Sequence, residues 1–473
     1  MTSPEGGPPP DRFPVRARDL LRQRAVWVLP MVLASVVIAA MTALYLGSAV
    51  DPVAHVRDLP VEVVNGDRGV TLGTQRVEFG RQIEAGLRGS PEVSHRLRLE
   101  SVTLPAAEDV MNHGRAYATI VIPPDFTASL LAKAGLPTTG TPGDGAIRLL
   151  TNPRAGTLGV SLATGILQPA MAAASRAVSG QLTAAAAASS PDAATTAFLA
   201  SPVTLTTSQF HPPPASSALG LSAFYLALLT LMCGFLTGTI LHGTVDAALG
   251  YGVSEVGPRW TQLQPKAIRR WRTLLIKWAM AAVLTAVATG LMITIAAGAL
   301  GMDAPQPLLL WLYAWLCAAS VAAGTIVLFA VLGTPGQLVA LLLFVYAGLA
   351  SAGGTVPIEA LPGFFRVLSE AEPLRQILAG DRAILYFDAQ ADAGLARGFA
   401  AAAIGLLLWL VAGTVIVRWY DRRALHRMAP DLLAHVDRAV QDYRAGTRAE
   451  NDAAAASSPA DVRQGRDPGR LGT

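Results

Sequence analysis

The sequence of 473 residues lacks the motifs that mark most enzymes. It contains no G-x-x-x-x-G-K-[ST] loop, which excludes an ATPase within this chain. It also contains no G-x-S-x-G turn, no H-E-x-x-H helix and no C-x-x-C pair, and its seven histidines are scattered. We therefore expect that the chain is not an enzyme and has no catalytic residue, metal site or cofactor of its own.

Cysteine and charge are also scarce. Cys233 and Cys317 both lie in apolar runs, so an exported domain would have no disulfide and would depend on its own core. Charged residues make up 15% of the chain and hydrophobic residues 52%, with a mean hydropathy of +0.42. The chain is therefore too apolar for a soluble protein and too polar to lie wholly in a membrane.

Asp, Glu, Lys and Arg are absent from six long apolar runs. A helix needs about 20 apolar residues to cross about 30 Å of hydrocarbon. Without an acid in the runs, a proton-driven pump is not expected. The pair Gly234 and Gly238 permits close helix contact, although such spacings also arise by chance. We predict spans at residues 25–50, 218–241, 278–300, 307–332, 338–356 and 399–417.

Basic residues lie beside these runs and predict their orientation. Residues 11–24 contain five arginines, and residues 242–277 contain six Lys or Arg against two acids. Basic segments flank spans on the cytoplasmic side, so both termini are predicted inside and residues 51–216 outside the cell membrane. The charge is thereby explained without a nucleic-acid partner. The first run is too long for a cleaved signal peptide, so we expect it to stay as an anchor.

Residues 51–216 alternate short β-type runs with helical runs, as α/β domains do. We predict strands at residues 60–65, 96–103, 116–122, 146–151 and 203–208. We predict helices at residues 72–87, 105–113, 124–133 and 155–188, with turns or a linker at 135–145 and 189–214.

The predicted fold is an α-helical polytopic membrane protein with six transmembrane helices and an α/β extracytoplasmic domain between helices one and two. Its segments are a cytoplasmic N-terminal segment with an amphipathic helix (1–24), the first transmembrane helix (25–50), the extracytoplasmic domain (51–216), a five-helix transmembrane domain (218–417), a cytoplasmic amphipathic tail (418–450) and a disordered tail (451–473).

The loop after the second span concentrates basic and aromatic residues, a pattern that predicts a short helix at the membrane surface. Two interpretations are open. The helix anchors the third span at the headgroups, or it is the docking site of a cytoplasmic partner. The candidate coupling residues are Arg259, Trp260, Lys266, Arg269, Arg270 and Arg272.

A second candidate region follows the fifth span. Residues 353–387 predict two short helices that dip into the outer leaflet, where non-helical backbone needs protein or water as a partner. The segment either lines a cavity or external gate, or it is an interfacial loop without such a role. The candidate gate residues are Pro357, Leu361, Pro362, Phe364, Phe365 and Pro373.

Residues 63–69, 118–126 and 353–373, together with the order of spans and insert, carry a resemblance to a known family. The chain resembles ABC-2-type transporter permeases, in particular the phage-infection-protein-like (Pip) branch with a large extracytoplasmic insert. The resemblance implies a homodimer or heterodimer in the lipid bilayer, a separate cytoplasmic ABC ATPase that binds the ATP, and export of lipids, glycans or drugs. It also implies that residues 266–272 form a coupling helix. Many such permeases have only a short loop in place of the insert.

Two functions are consistent with these features. The first is a membrane permease subunit of an ABC-2-type exporter, which depends on a separate ATPase and moves a hydrophobic or amphipathic substrate outward. The alternative is a non-transporting membrane scaffold or receptor whose extracytoplasmic domain binds an envelope or secretion partner.

Overall fold

A computed structural model describes residues 22, 24–72, 75–138, 142–187, 192–266, 268–423 and 425, with single positions between 438 and 448. The predicted N-terminal amphipathic helix, most of the predicted amphipathic tail and the predicted disordered tail lie outside the described residues.

The described part of the chain is mostly helical. In chain order its helices are α1 (Arg24–Ala49), α2 (Pro52–His55), α3 (Phe79–Gly89), α4 (Pro91–Arg96), α5 (Leu104–Asn112), α6 (Phe126–Lys133), α7 (Thr157–Ala186), α8 (Ala193–Ala200), α9 (Ser222–Ala248), α10 (Arg270–Ile293), α11 (Pro307–Leu332), α12 (Pro335–Ser351), α13 (Gly363–Ala371), α14 (Pro373–Tyr386) and α15 (Leu395–Arg422). The strands are β1 (Leu59–Asn65), β2 (Val70–Leu72), β3 (Gln75–Val77), β4 (Leu97–Ser101), β5 (Ala118–Ile122), β6 (Ala146–Thr151), β7 (Thr204–Gln209), β8 (Ser254–Val256) and β9 (Arg259–Thr261).

Among the described residues, six helices are long and apolar enough to cross a membrane, namely α1, α7, α9, α10, α11 and α15. Five of them coincide with predicted spans. The predicted span at residues 338–356 corresponds to α12, which is shorter and contains a π-helical segment at Leu341–Tyr346. The remaining long helix, α7, falls within the predicted α/β domain.

Helix α7 packs against the sheet. Its buried Leu162, Ile166 and Leu167 belong to the same hydrophobic core as Val61 of β1 and Ile120 of β5. The long, apolar and alanine-rich helix α7 therefore packs on this core, and it does not project from the sheet.

The sheet has five strands in the order β4-β1-β5-β6-β7. Strand β1 pairs parallel with β4 and β5, β5 pairs antiparallel with β6, and β6 pairs parallel with β7. All five residues of β5 are buried, as expected for a central strand with helices on both faces. The five predicted strands are confirmed, with ends that shift by at most two residues.

Two predictions for this region are wrong. The helix predicted at residues 72–87 begins only at Phe79, because the β-branched Val70, Thr71 and Val77 form the hairpin of β2 and β3. The linker predicted at residues 189–214 contains α8.

Helices α9 and α11 approach closely at two glycines. A Cβ at Gly234 would lie 2.4 Å from the carbonyl oxygen of Ala318, and one at Gly238 would lie 3.0 Å from that of Ala322. The predicted close contact at Gly234 and Gly238 is therefore confirmed.

Candidate functional site

The basic loop between α9 and α10 contains a β-hairpin, so the prediction of a short amphipathic helix is wrong. Strands β8 and β9 pair antiparallel, and the described residues between β9 and α10 are irregular. Gly250 explains the difference, since its φ is +79° and a Cβ there would lie 2.6 Å from the Gln264 carbonyl oxygen. The amide of Lys266 donates to the Leu249 carbonyl at 3.0 Å. The loop therefore folds back onto the end of α9.

The loop presents a mixed basic and apolar surface. Of the candidate coupling residues, Arg259, Lys266, Arg269 and Arg272 are exposed, Arg270 is partly buried and Trp260 lies on β9. Three large apolar side chains are exposed beside them, namely Val253, Val256 and Leu263. Exposed apolar side chains among cations fit a protein partner or anionic headgroups, so this surface has the chemistry of a docking site.

The base of the loop is held by α15. The amides of Arg270 and Trp271 each donate to the Asp421 carboxylate at 3.2 Å, which caps the start of α10. The guanidinium of Arg418 lies 5.3 Å from the centre of the Trp271 ring. Arg270 lies 5.5 Å over the Tyr420 ring, so it serves this junction more than the exposed surface.

A buried ionic cluster joins α9 to α10 next to the loop. Lys277 Nζ donates to Asp246 Oδ1 at 2.8 Å and lies 3.2 Å from His242 Nδ1. Lys277 is 2% exposed, and the His242 ring stacks on Phe329 at 4.3 Å. The sequence places His242 and Asp246 one helical turn apart, where a polar helix end was expected. Lys277 was not predicted to join them, because the apolar run begins after Lys277, whereas α10 begins two turns earlier.

The two short helices predicted within residues 353–387 are confirmed as α13 and α14, which together are called the α13–α14 hairpin. The candidate gate residues separate into two groups. Pro357, Leu361 and Phe365 are buried, and Leu361 and Phe365 share a cluster with Leu44 of α1. Phe364 is 67% exposed, while Pro362 and Pro373 are half-buried.

Helix α14 is inserted into the helix bundle. Its Leu374, Ile377 and Ile384 are buried in the same cluster as residues of α9 and α11. Asp381 is fully buried, and neither carboxylate oxygen has a hydrogen-bond partner among the described residues. The predicted spans have no acid, but α14 brings one into the bundle. The argument from the spans against proton coupling therefore does not extend to the bundle.

The α/β domain contacts the end of α14 and the segment after it through polar side chains. Arg154 donates to the Tyr386 carbonyl at 3.0 Å, and Asp392 lies 3.0 Å from Arg115 and 3.1 Å from His113. A polar cavity of about 210 Å³ lies between the two parts and is lined in part by Arg154. The sheet and α14 are thus mechanically connected.

An apolar groove of about 430 Å³ lies between α11, α12, α14 and α15. Val321, Phe344, Ile377 and Trp409 line it, and Pro373 of the candidate gate set stands at its edge. The other five candidate gate residues do not line it. The sequence analysis did not predict this groove, because it depends on how four helices pack.

One of the stretches that carried the family resemblance, residues 63–69, has a structural role through Asp67. Asp67 Oδ1 accepts from the amides of Gly69 and Thr127 at 3.2 and 3.1 Å, and Oδ2 accepts from the Gly80 amide at 2.9 Å and the Thr127 hydroxyl at 2.6 Å. This carboxylate therefore ties the loop after β1 to the first turns of α3 and α6.

Residues 30–408 match the family described as "Protein of unknown function (DUF3533)". The chain belongs to this family. The match runs from α1 into α15, so it includes the sheet, the α13–α14 hairpin and the helix bundle. The six apolar helices fit a multi-pass membrane protein.

The chain is also similar to "Uncharacterized protein YhgE" from Bacillus subtilis (strain 168). The two are 33% identical over 81 residues, which is 17% of this chain and 10% of that protein. The chain thus matches a tenth of the length of this relative. No solved structure matches the chain.

Proposed function

We propose that the protein is the permease subunit of an ABC-2-type exporter, which depends on a separate cytoplasmic ATPase and moves a hydrophobic or amphipathic substrate outward. The observation that carries the proposal is that α9 connects the basic loop with the α13–α14 hairpin. At its first residue, Ser222 Oγ lies 2.7 Å from the Tyr386 hydroxyl of α14, and near its end Asp246 pairs with Lys277. With 27 residues, α9 is about 40 Å long, enough to span a membrane.

The topology follows from charge. In the proposal α1, α9, α10, α11, α12 and α15 cross the cell membrane, with both termini cytoplasmic. Residues 51–216 lie outside, between the first two of these helices, and α7 stays with the sheet. The basic residues of the loop between α9 and α10 and at the end of α15 support this orientation.

The proposed cycle uses these contacts in sequence. An ATPase docks on the exposed loop residues, and its nucleotide cycle moves the start of α10. Because Lys277 and Asp246 join α10 to α9, the motion passes along α9 to α14. Contacts of Arg154 with Tyr386 then carry it to the α/β domain. Two subunits, alike or different, complete the conduit.

The test is ATP hydrolysis by the candidate partner ATPase with and without the purified protein. The proposal expects a stable complex and a changed rate. Combining Arg259→Glu, Lys266→Glu and Arg269→Glu should abolish both, because these exposed side chains form the proposed docking surface. Each substitution is also made alone, and Arg422→Glu is the matched control for these single variants, because it changes the charge by the same two units at an exposed site outside the loop.

A complex that forms normally with the triple variant would contradict docking at the loop. If no ATPase binds or responds, the permease proposal is wrong and the scaffold or receptor function takes its place.

A further inference from the structure

We infer that the carboxyl group of Asp381 is a proton-binding site, which holds a proton while α14 is inserted in the helix bundle and releases it when α14 moves out. The position of α14 is thereby linked to proton uptake. This inference goes beyond the proposed function, because the ATPase-driven cycle uses no proton. Its support is the burial of Asp381, the charges around it and the geometry at the end of α14.

Asp381 lies in surroundings that do not stabilise a negative charge. Its side chain is fully buried, and neither carboxylate oxygen has a hydrogen-bond partner among the described residues. Its neighbours three and four positions away on α14, which share its face of the helix, are the buried Ile377, Leu378, Ile384 and Leu385. A carboxylate without a partner in an apolar environment takes up a proton and becomes neutral. The inserted position of α14 therefore requires a protonated Asp381.

Helices α9 and α11 pack against α14 and bring no positive charge to Asp381. The two titratable residues of α11, Tyr313 and Cys317, interact with Asp381, and neither carries a positive charge. On α9, Tyr225 is 54% exposed and Cys233 is partly exposed, while the other titratable residues lie at the opposite end of the helix.

The charges near the start of α14 balance one another away from Asp381. Arg397 of α15 and Arg375 both pair with Glu370, at 3.0 and 2.7 Å. The Glu372 carboxylate lies beside Arg375 and accepts from its amide at 2.8 Å. The remaining charges of α15 are at its opposite end, and the part of α12 that contacts α14, Ala347–Ser351, has no titratable residue.

Arg382, the next residue along α14, is directed towards the α/β domain instead of Asp381. Its Nη2 lies 3.5 Å from the Gly353 carbonyl oxygen. The titratable side chains that interact with it are those of Tyr117, Tyr386 and Glu359. Because Asp381 has no hydrogen bond to this guanidinium, the adjacent positive charge does not take the place of the proton.

The backbone at the end of α14 is strained, as expected for a segment that changes conformation. Asp388 and Ala389 follow α14 with φ of 51° and 55°, and residues 218–219 precede α9 with φ of 50° and 57°. Side chains other than glycine rarely adopt these values, which store strain. The contact between Ser222 and Tyr386, which joins α9 to α14, lies between the two strained segments. A movement of α14 can release this strain.

A polar cavity gives the proton a route to solvent. The cavity of about 210 Å³ at the end of α14 is lined by Tyr386 and by the exposed His211 and Asp388. Tyr386 is five residues after Asp381, about 7.5 Å along the helix. When α14 moves out, the O–H bond of the carboxyl group breaks, the proton passes to water and the carboxylate remains in solvent.

The first experiment is infrared spectroscopy of the full-length protein in lipid nanodiscs without any ATPase, above about pH 7, where an ordinary Asp is ionised. A protonated carboxyl group has its own band, which shifts when water is replaced by heavy water. We expect this band in the difference spectrum between the unmodified protein and Asp381→Asn. Asp303→Asn, at an exposed Asp between α10 and α11, is the matched control and should give none.

The second experiment is hydrogen exchange of the α14 peptides against pH, corrected for the intrinsic pH dependence of exchange. One proton is released for each opening, so the opening equilibrium should rise about tenfold per pH unit in the unmodified protein. Asp381→Asn should remove this dependence, because the amide is neutral like the protonated acid and of the same size.

Glu372 is the other buried carboxyl group of α14, and burial raises its pKa to about 7. Above that pH it is ionised in both positions of α14 and adds nothing to the pH dependence. Glu372→Gln, which loses the cap of α14, should therefore open more readily but keep the tenfold rise.

Three results would overturn the inference. They are a difference spectrum without a protonated carboxyl band, opening of α14 that does not change with pH in the unmodified protein, and the same pH dependence in Asp381→Asn. The second result needs no variant, so it holds even if a substitution prevents folding. Because no ATPase is present, failure here is distinct from failure of the proposed export function, which is judged by ATP hydrolysis.

Discussion

Replacement of Asp67 by Asn tests the carboxylate that joins β1 to α3 and α6. An amide keeps one oxygen and places an NH2 group where the other oxygen accepted, so about two of the four hydrogen bonds are lost. Hydrogen bonds to a charged group contribute about 1.5–3 kcal/mol each and are not additive, so we expect a loss of about 3 kcal/mol. This corresponds to about 150-fold faster opening of the first turns of α3 and α6.

Hydrogen exchange read by mass spectrometry on the protein in nanodiscs measures this effect. The amides of Gly80 and Thr127 lie in the peptides that should exchange faster, while α11 should be unchanged. Asp144→Asn is the control, because the Asp144 side chain is 93% exposed and lies 3.9 Å from its nearest cation. Exchange of α3 and α6 at the unmodified rate in Asp67→Asn, or equal acceleration in the control, would refute the structural role of Asp67.

Three further predictions follow from buried or tightly packed positions. Burial raises the pKa of the Glu62 carboxyl above its ordinary value of 4.5, and the charge of Glu100 adds to the shift. The protonated form is thus favoured in the folded state, so the contribution of Glu62 to stability is greatest below pH 4.5 and falls as the pH rises through its folded-state pKa. Exchange of β1, corrected for its intrinsic pH dependence, should therefore accelerate with pH in the unmodified protein and not in Glu62→Gln. Gly234→Val should prevent α9 from packing on α11 and should lower the yield of monodisperse protein. Gly243→Val is the control, because the new Cβ has open space around it and the yield should not change. Equal yields of the two variants would contradict the close contact. Lys277→Met should lower the melting temperature in detergent, because it removes the cation that lies 2.8 Å from Asp246. Adding Asp246→Asn to this variant should restore part of the loss. A double variant with the same melting temperature as Lys277→Met would contradict the ion pair.

The local sequence pattern was sufficient to predict those elements whose residues all favour the same secondary structure. Strand β4 alternates Leu97 and Leu99 with charged residues, and its predicted position is confirmed. Helices α13 and α14 were predicted within residues 353–387, and Pro373 lies at the first position of α14.

The loop between α9 and α10 could not be predicted from its basic and aromatic composition. That composition favours a surface helix, but Gly250 turns the chain back on α9, and Gly257, with φ +58°, lies between β8 and β9. The backbone geometry at these glycines determines the fold of the loop, and a hydropathy pattern contains no information about it.

The buried charges were missed for another reason. Lys277 lies inside α10 because Asp421, about 150 residues later, caps a start that lies before the apolar run. Asp381 is buried because α14 inserts among α9, α11 and α15. Both depend on contacts between residues distant in the chain, so local periodicity gives no signal for them.

The central claim of the proposed function is that the α13–α14 hairpin and the loop between α9 and α10 move together. The direct test is to crosslink Arg115→Cys to Asp392→Cys with a short bis-maleimide, which fixes the α/β domain to the segment after α14, where the side chains now lie 3.0 Å apart. The native Cys317 is buried and Cys233 only partly exposed, and single-cysteine variants control for reaction at them. We predict that the crosslink lowers ATP hydrolysis by the bound partner ATPase on the opposite side of the membrane. Unchanged hydrolysis in a fully crosslinked complex would contradict the account.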